Sequence, residues 1–209
     1  MNTDIRSRSL PFYCKSAAFA ALALLGATVG PVEASEDIRF ELTPAGAVRQ
    51  CLPNARGEVS VDAGDSAELM SVKVEGLPAN TAFDVFVIQV PNLPFGLSWY
   101  QGDLTTNAKG KGKARFVGRF NVETFIVAPD VAPAPVVHET PIPDAGANPR
   151  TGPVHTYHLG LWFNSPDDAR AAGCPDAVTP FNGEHNAGIQ VLNTGTFPDD
   201  QGPLAQLRP

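Results

Sequence analysis

The amino-acid sequence predicts an all-β protein built from short antiparallel strands. Apolar and polar residues alternate with period two in several successive stretches, and no long stretch repeats apolar residues at helical spacing. The chain also carries 19 glycines and 20 prolines, the punctuation of short strands joined by turns.

Ahead of the first strand lies a targeting signal. Arg6, Arg8 and Lys15 make a basic leader, and Ala17 to Val29 is an unbroken apolar run, shorter than the ~20 residues of a membrane-spanning helix. Small residues before Ser35 place the cut after Ala34. Residues 1–34 are therefore expected to be a signal peptide and 35–209 a single exported domain with no membrane span. Cys14 precedes the apolar run, so a lipid anchor after it is not indicated, and no adjacent arginine pair marks export in the folded state. Cleavage leaves Cys51 and Cys174, an even pair in an oxidising compartment, which predicts a disulfide. It would close a loop of more than a hundred residues, worth roughly 4 to 5 kcal/mol by chain entropy.

The strands follow in order. Ile38, Phe40 and Leu42 share one face of the first, with Asp37, Arg39 and Glu41 on the other. Val59 and Val61 repeat the pattern. In the third, Met70, Val72 and Val74 point inward while Glu68, Ser71, Lys73 and Glu75 mark exposed positions. The run from Ala82 to Val90 is apolar on both faces apart from Asp84 and Gln89, as a central strand should be.

The join between the third and fourth strands, "VKVEGLPANTAFDVFV", resembles the corner between strands E and F of fibronectin type III and immunoglobulin-like domains. Leu77, Pro78, Thr81 and Phe83 take the roles of that corner, with Phe83 where the family has tyrosine. The resemblance implies an antiparallel immunoglobulin-like β-sandwich and no particular function.

A hairpin follows, with a glycine-rich tip at "NAKGKGK". Ala114, Phe116 and Phe120 share the parity that faces the core, and Lys109, Lys111, Lys113, Arg115 and Arg119 share the other. That basic row reads as a solvated face that discourages edge pairing, or as a patch for an anionic surface polymer. Between Ala128 and Pro153 seven prolines interrupt the chain, predicting a proline-rich connection over the surface with an edge strand at Val136 to Glu139. "HTYHLGLWF" then alternates as one strand, Tyr157, Leu159, Leu161 and Phe163 on one face and His158, Gly160 and Trp162 on the other. "SPDDARAAG" spells one short helix: Ser165 as N-cap, Pro166 at the first position, Asp167 and Asp168 at the positive end, Gly173 as the stop.

Two site readings emerge. His155, His158, Glu184 and His185 form a zinc- or copper-competent set if the strands bearing them are neighbours. Against it, His155 and His158 have opposite parity, so a regular strand points them to opposite faces. The other reading uses aromatics: Phe95, Trp99 and Tyr100 in a Pro/Gly loop after the fourth strand, and Trp162, whose rigid faces can hold a sugar ring or a surface protein. A net charge of -7 argues against nucleic acid. Ser98 lacks the glycine of a nucleophile elbow, and no phosphate loop, dinucleotide fingerprint or metalloprotease helix occurs. The sequence therefore predicts a non-enzymatic binding or structural role with no cofactor, and a small metal-binding protein or metalloenzyme as the alternative.

Overall fold

The computed structural model describes residues 37–64, 66–121, 124–128, 136–137, 140–141, 152–180 and 186–207. The expected signal peptide, most of the proline-rich connection, Glu184 and His185 lie outside them. All described residues belong to one compact unit, Ala34–Pro209.

Eight antiparallel strands make one hydrogen-bonded sheet. They are β1 (Ile38–Pro44), β2 (Arg56–Asp62), β3 (Glu68–Glu75), β4 (Ala82–Ile88), β5 (Ser98–Thr105), β6 (Gly112–Gly118), β11 (His158–Phe163) and β12 (Gln190–Asn193), in the order β5-β4-β11-β12-β1-β2-β3-β6. The all-β antiparallel class is as expected, but the sheet is continuous. β1 is its turning point: Ile38 to Leu42 pair with β2, and Thr43 and Pro44 pair with β12. The two end strands, β5 and β6, are consecutive in the chain, and among the described residues their backbones pair only at a bridge between Thr106, just beyond β5, and Gly112. The sheet thus nearly closes on itself and leaves a seam between its ends.

Two short pairs stand apart from this sheet. β7 (Phe125–Ala128) pairs with β10 (Gly152–His155), and β8 (Val136–Val137) pairs with β9 (Thr140–Pro141), near the edge strand expected at Val136.

The inward-facing residues of the wrapped sheet form one core, with Phe40, Leu42, Val59, Val61, Met70, Val72, Phe83, Leu104, Leu159, Leu161 and Phe163 buried together. Strands with one solvated face follow the alternation of their sequences. β6 is the clearest, Ala114 and Phe116 turned toward the core and Lys113, Arg115 and Val117 exposed. Glu68 corrects the reading of β3: it shares the parity of Met70 and is buried. Its carboxylate accepts hydrogen bonds from Arg119 Nη1 (3.1 Å), the Phe120 backbone N–H (2.8 Å) and Asn121 Nδ2 (3.0 Å). Three donors on one buried carboxylate replace the water it gives up. Ser71, also expected outside, is buried too.

The corner from Leu77 to Phe83 carries the chain from β3 to β4, and Leu77 and Phe83 are both buried. Thr106 ties it to β5, its hydroxyl donating to the Pro78 carbonyl (2.6 Å) and accepting from the Thr81 N–H (3.0 Å).

The helix α1 (Pro166–Ala171) starts at Ser165, whose Oγ accepts from the Asp168 N–H (3.1 Å) and donates to the Asp168 carboxylate (2.6 Å). Gly173, at φ +74°, takes the left-handed turn that ends it. Cys174 follows directly and is bonded to Cys51, with Cα atoms 5.3 Å apart. The bridge pins the helix end to the turn after β1.

Candidate functional site

The expected single strand from His155 to Phe163 is two strands. β10 ends at His155, and β11 begins at His158 after a break at Thr156 and Tyr157. The two belong to different sheets, β10 against β7 and β11 between β4 and β12. Each histidine already has local partners. His155 Nδ1 donates to the Thr124 carbonyl (3.2 Å), and its ring stacks on Tyr157 with centroids 4.8 Å apart. His158 is fully buried. Its Nε2 faces the Asp199 carbonyl (3.2 Å), so that nitrogen carries the proton and donates; its Nδ1 then accepts from the Thr194 hydroxyl (2.9 Å). Burial pushes this imidazole below the ordinary histidine range, against the opposing pull of the Asp199 and Pro198 carbonyls. A neutral ring with both nitrogens engaged has no lone pair left over for a metal. Among the described residues no three or more His, Cys, Asp or Glu side chains converge as ligands.

The aspartates beside them act within the helix. Asp168 holds the cap, and Asp167 pairs with Arg170 (2.7 Å), which also reaches Asp176 (3.1 Å).

The four candidate aromatics separate by face. β5 runs antiparallel to β4, with Phe86 opposite Tyr100 and Val87 opposite Trp99, and a bulge shifts the register between Val85 and Phe86. Tyr100 therefore lies on the outer face and Trp99 on the inner one. Trp162 is buried on the outer face in a second small core with Phe86, Ile88 and Ala187, against which Phe95 packs. Rings link edge to face across this cluster: Phe95 to Trp162 (5.1 Å), Trp162 to Phe86 (5.4 Å) and Phe86 to Tyr100 (5.5 Å). Phe95 and Trp162 thus serve packing first. Tyr100 sits at the rim, its hydroxyl donating to Asp103 Oδ1 (2.5 Å). Burial of the ring, then the bonded Asp103 carboxylate, push this phenol up to about 12.

Trp99 differs from the other three. It is 60% exposed although it occupies the inner face, because it borders the seam. There β5 and β6 part around a hollow of about 450 Å³. Val87, Phe120 and Leu204, all buried, form its apolar lining; Trp99 and Val117 stand at its edges, and Gln101, Arg119 and Thr156 supply hydrogen-bonding groups. Arg119 is held by Glu68, so its charge is matched and its direction fixed. The described lining contains no carboxylate, histidine or cysteine.

The basic row of β6 is partly neutralised by a lattice of ion pairs on the outer face. Lys111 pairs with Glu75 (2.8 Å), Arg56 pairs with the same carboxylate, and Lys73 and Arg39 both approach Glu58. Lys111, then Arg56, hold the Glu75 carboxyl below its ordinary value. This is a solvated face on which ion pairs offset part of the basic charge.

Sequence reasoning named Trp99 but missed Gln101, Val117 and Arg119 as its companions. They come together only through the meeting of the sheet's two ends.

Comparison with protein families, with curated proteins and with solved structures finds no match.

Proposed function

We propose that the chain is an exported, non-catalytic binding protein that holds an uncharged ring, a sugar above all, against Trp99 in the seam between β5 and β6. The observation that carries this reading is the exposure of Trp99 at the edge of a lined hollow. An indole left in water beside a hollow costs apolar hydration that a flat ligand would relieve. Gln101 offers both a donor and an acceptor, and Arg119 keeps donors beyond the one given to Glu68, a combination suited to hydroxyl groups. The volume falls within the range of small-molecule sites. Binding is favoured over turnover because glycoside cleavage uses a pair of carboxylates, and the described lining has none. The leader sequence and the Cys51–Cys174 bridge support export.

Calorimetric titration tests the reading with soluble, uncharged tetrasaccharides of glucose, N-acetylglucosamine and galactose as probes. At least one should bind saturably, and Trp99→Ala should weaken it about tenfold or more without changing the unfolding midpoint. Equal binding by Trp99→Ala, or no binding by any probe, would contradict the proposal.

A further inference from the structure

The loop from Gln89 to Leu97 is held far more firmly than a connection between two strands requires. Gln89 closes it twice, its N–H donating to the Leu97 carbonyl (2.8 Å) and its side-chain oxygen accepting from the Leu97 N–H (3.1 Å). Within it, Val90 donates to Phe95 (3.1 Å) and Phe95 to Asn92 (2.8 Å). Two buried amides of β12 hold it from below: Gln190 Nε2 (3.0 Å) and Asn193 Nδ2 (2.9 Å) both donate to the Pro91 carbonyl. Phe95 and Gly96 adopt positive φ, and a Cβ on Gly96 would lie 2.3 Å from Gln89 Oε1, so glycine is required there. All this order presents a leucine to water: Leu93 is 81% exposed. Val178, 55% exposed, lines the same hollow as Leu93, and Tyr100, 49% exposed, adjoins it through Phe86.

We propose that this loop is a docking site for the uncharged interface of a lipid bilayer. It does not rest on the saccharide reading: the two share only Trp99, which borders the seam on one face of β5 while the loop lies on the other. No charged residue occurs from Val85 to Gly102 in a chain of net charge -7, so the loop enters a bilayer without the penalty of carrying a charge inward. Behind the leucine, Tyr100 and Trp99 stand on the two faces of β5, amphipathic rings of the kind that settle at headgroup level. The apex projects as a knob, which a bilayer accommodates without a matching pocket. Leu93, Val178 and Tyr100 together fall well short of the roughly 800 Å² per partner of a standard protein interface. Rigidity lowers the ordering cost of insertion. The acidic body disfavours anionic lipid, which selects a zwitterionic surface, and so small an anchor gives weak, reversible attachment.

The test uses the protein from Ser35 onward, without the apolar leader, with phosphatidylcholine vesicles, with and without brominated acyl chains. The protein has two tryptophans, none in the leader; Trp162 is buried, so a blue shift reports Trp99, while quenching reports Trp99 together with Trp162 beneath the loop. Emission should shift to the blue and be quenched by bromolipid, saturating with lipid. Leu93→Glu should lower the apparent partition coefficient at least about tenfold, Leu93→Ser should lower it less, and both should keep the wild-type unfolding midpoint. Replacing half the lipid by phosphatidylglycerol should weaken binding. An unshifted emission, or wild-type partition by Leu93→Glu, would overturn the proposal. So would a dimer in lipid-free solution that Leu93→Glu dissociates, since Leu93 would then serve a second copy.

Discussion

Truncating Phe83 to alanine tests the architecture at the point where the chain turns from β3 into β4. Phe83 has no exposed surface, lies in register between Leu104 on β5 and Phe163 on β11, and its ring sits 5.1 Å from that of Phe163. Strands on both sides hold the site, so it cannot collapse readily, and the cavity should persist. The expected cost is about 3 to 5 kcal/mol, of which roughly 0.5 to 1.5 kcal/mol belongs to the aromatic pair. For a unit of this size the midpoint of thermal unfolding should fall by roughly 6 to 20 °C. Denaturant unfolding should show a lower midpoint at unchanged slope. A double-mutant cycle of Phe83→Leu with Phe163→Leu should return the coupling of the pair. Phe83→Tyr should also destabilise, by about 1 to 3 kcal/mol, because its hydroxyl would be sealed in the core. A loss below about 1 kcal/mol for Phe83→Ala would refute the packing at this corner.

Three further perturbations follow. His158→Ala should destabilise by about 2 to 4 kcal/mol, since it empties a buried site and removes the hydrogen bonds to the Asp199 carbonyl and the Thr194 hydroxyl, while His155→Ala should cost under about 1 kcal/mol. The depressed imidazole of His158 also sets a pH dependence: below about pH 6.5 the unfolded chain takes a proton that the folded one refuses, so stability falls as pH falls. Denaturant titrations should show this slope, up to about 1.4 kcal/mol per pH unit, and lose it in His158→Gln. Reducing Cys51–Cys174, which spans a sequence separation of 123, should cost roughly 4 to 5 kcal/mol. Non-reducing mass analysis should find no alkylatable thiol in protein that begins at Ser35.

Much of the fold was legible residue by residue. β2 and β6 alternate cleanly because one face is wet, and the helix cap at Ser165 is written in local side-chain chemistry. Strand order was not legible, because the placing of β11 between β4 and β12, and of β12 beside β1, depends on long-range pairing. Alternation also runs unbroken through Thr156 and Tyr157, hiding the break between β10 and β11. Glu68 looked exposed because it is charged, yet its parity with Met70 already placed it inside. At the candidate site, extending β5 back to Ser98 separates Trp99 from Tyr100 by simple alternation. Reading that stretch as loop concealed it. The hollow itself exists only because β5 and β6 end the same sheet side by side.

The most direct test of the central claim is a nuclear magnetic resonance titration of the labelled protein with the tetrasaccharide that binds best. The largest shifts should fall on the Trp99 indole N–H, the Gln101 side-chain amide, the Val117 methyls and the Arg119 guanidinium, with Lys73, Lys113 and Arg115 silent. Shifts centred instead on Lys73, Lys113 and Arg115 would place recognition on the charged face and contradict the seam as the binding site.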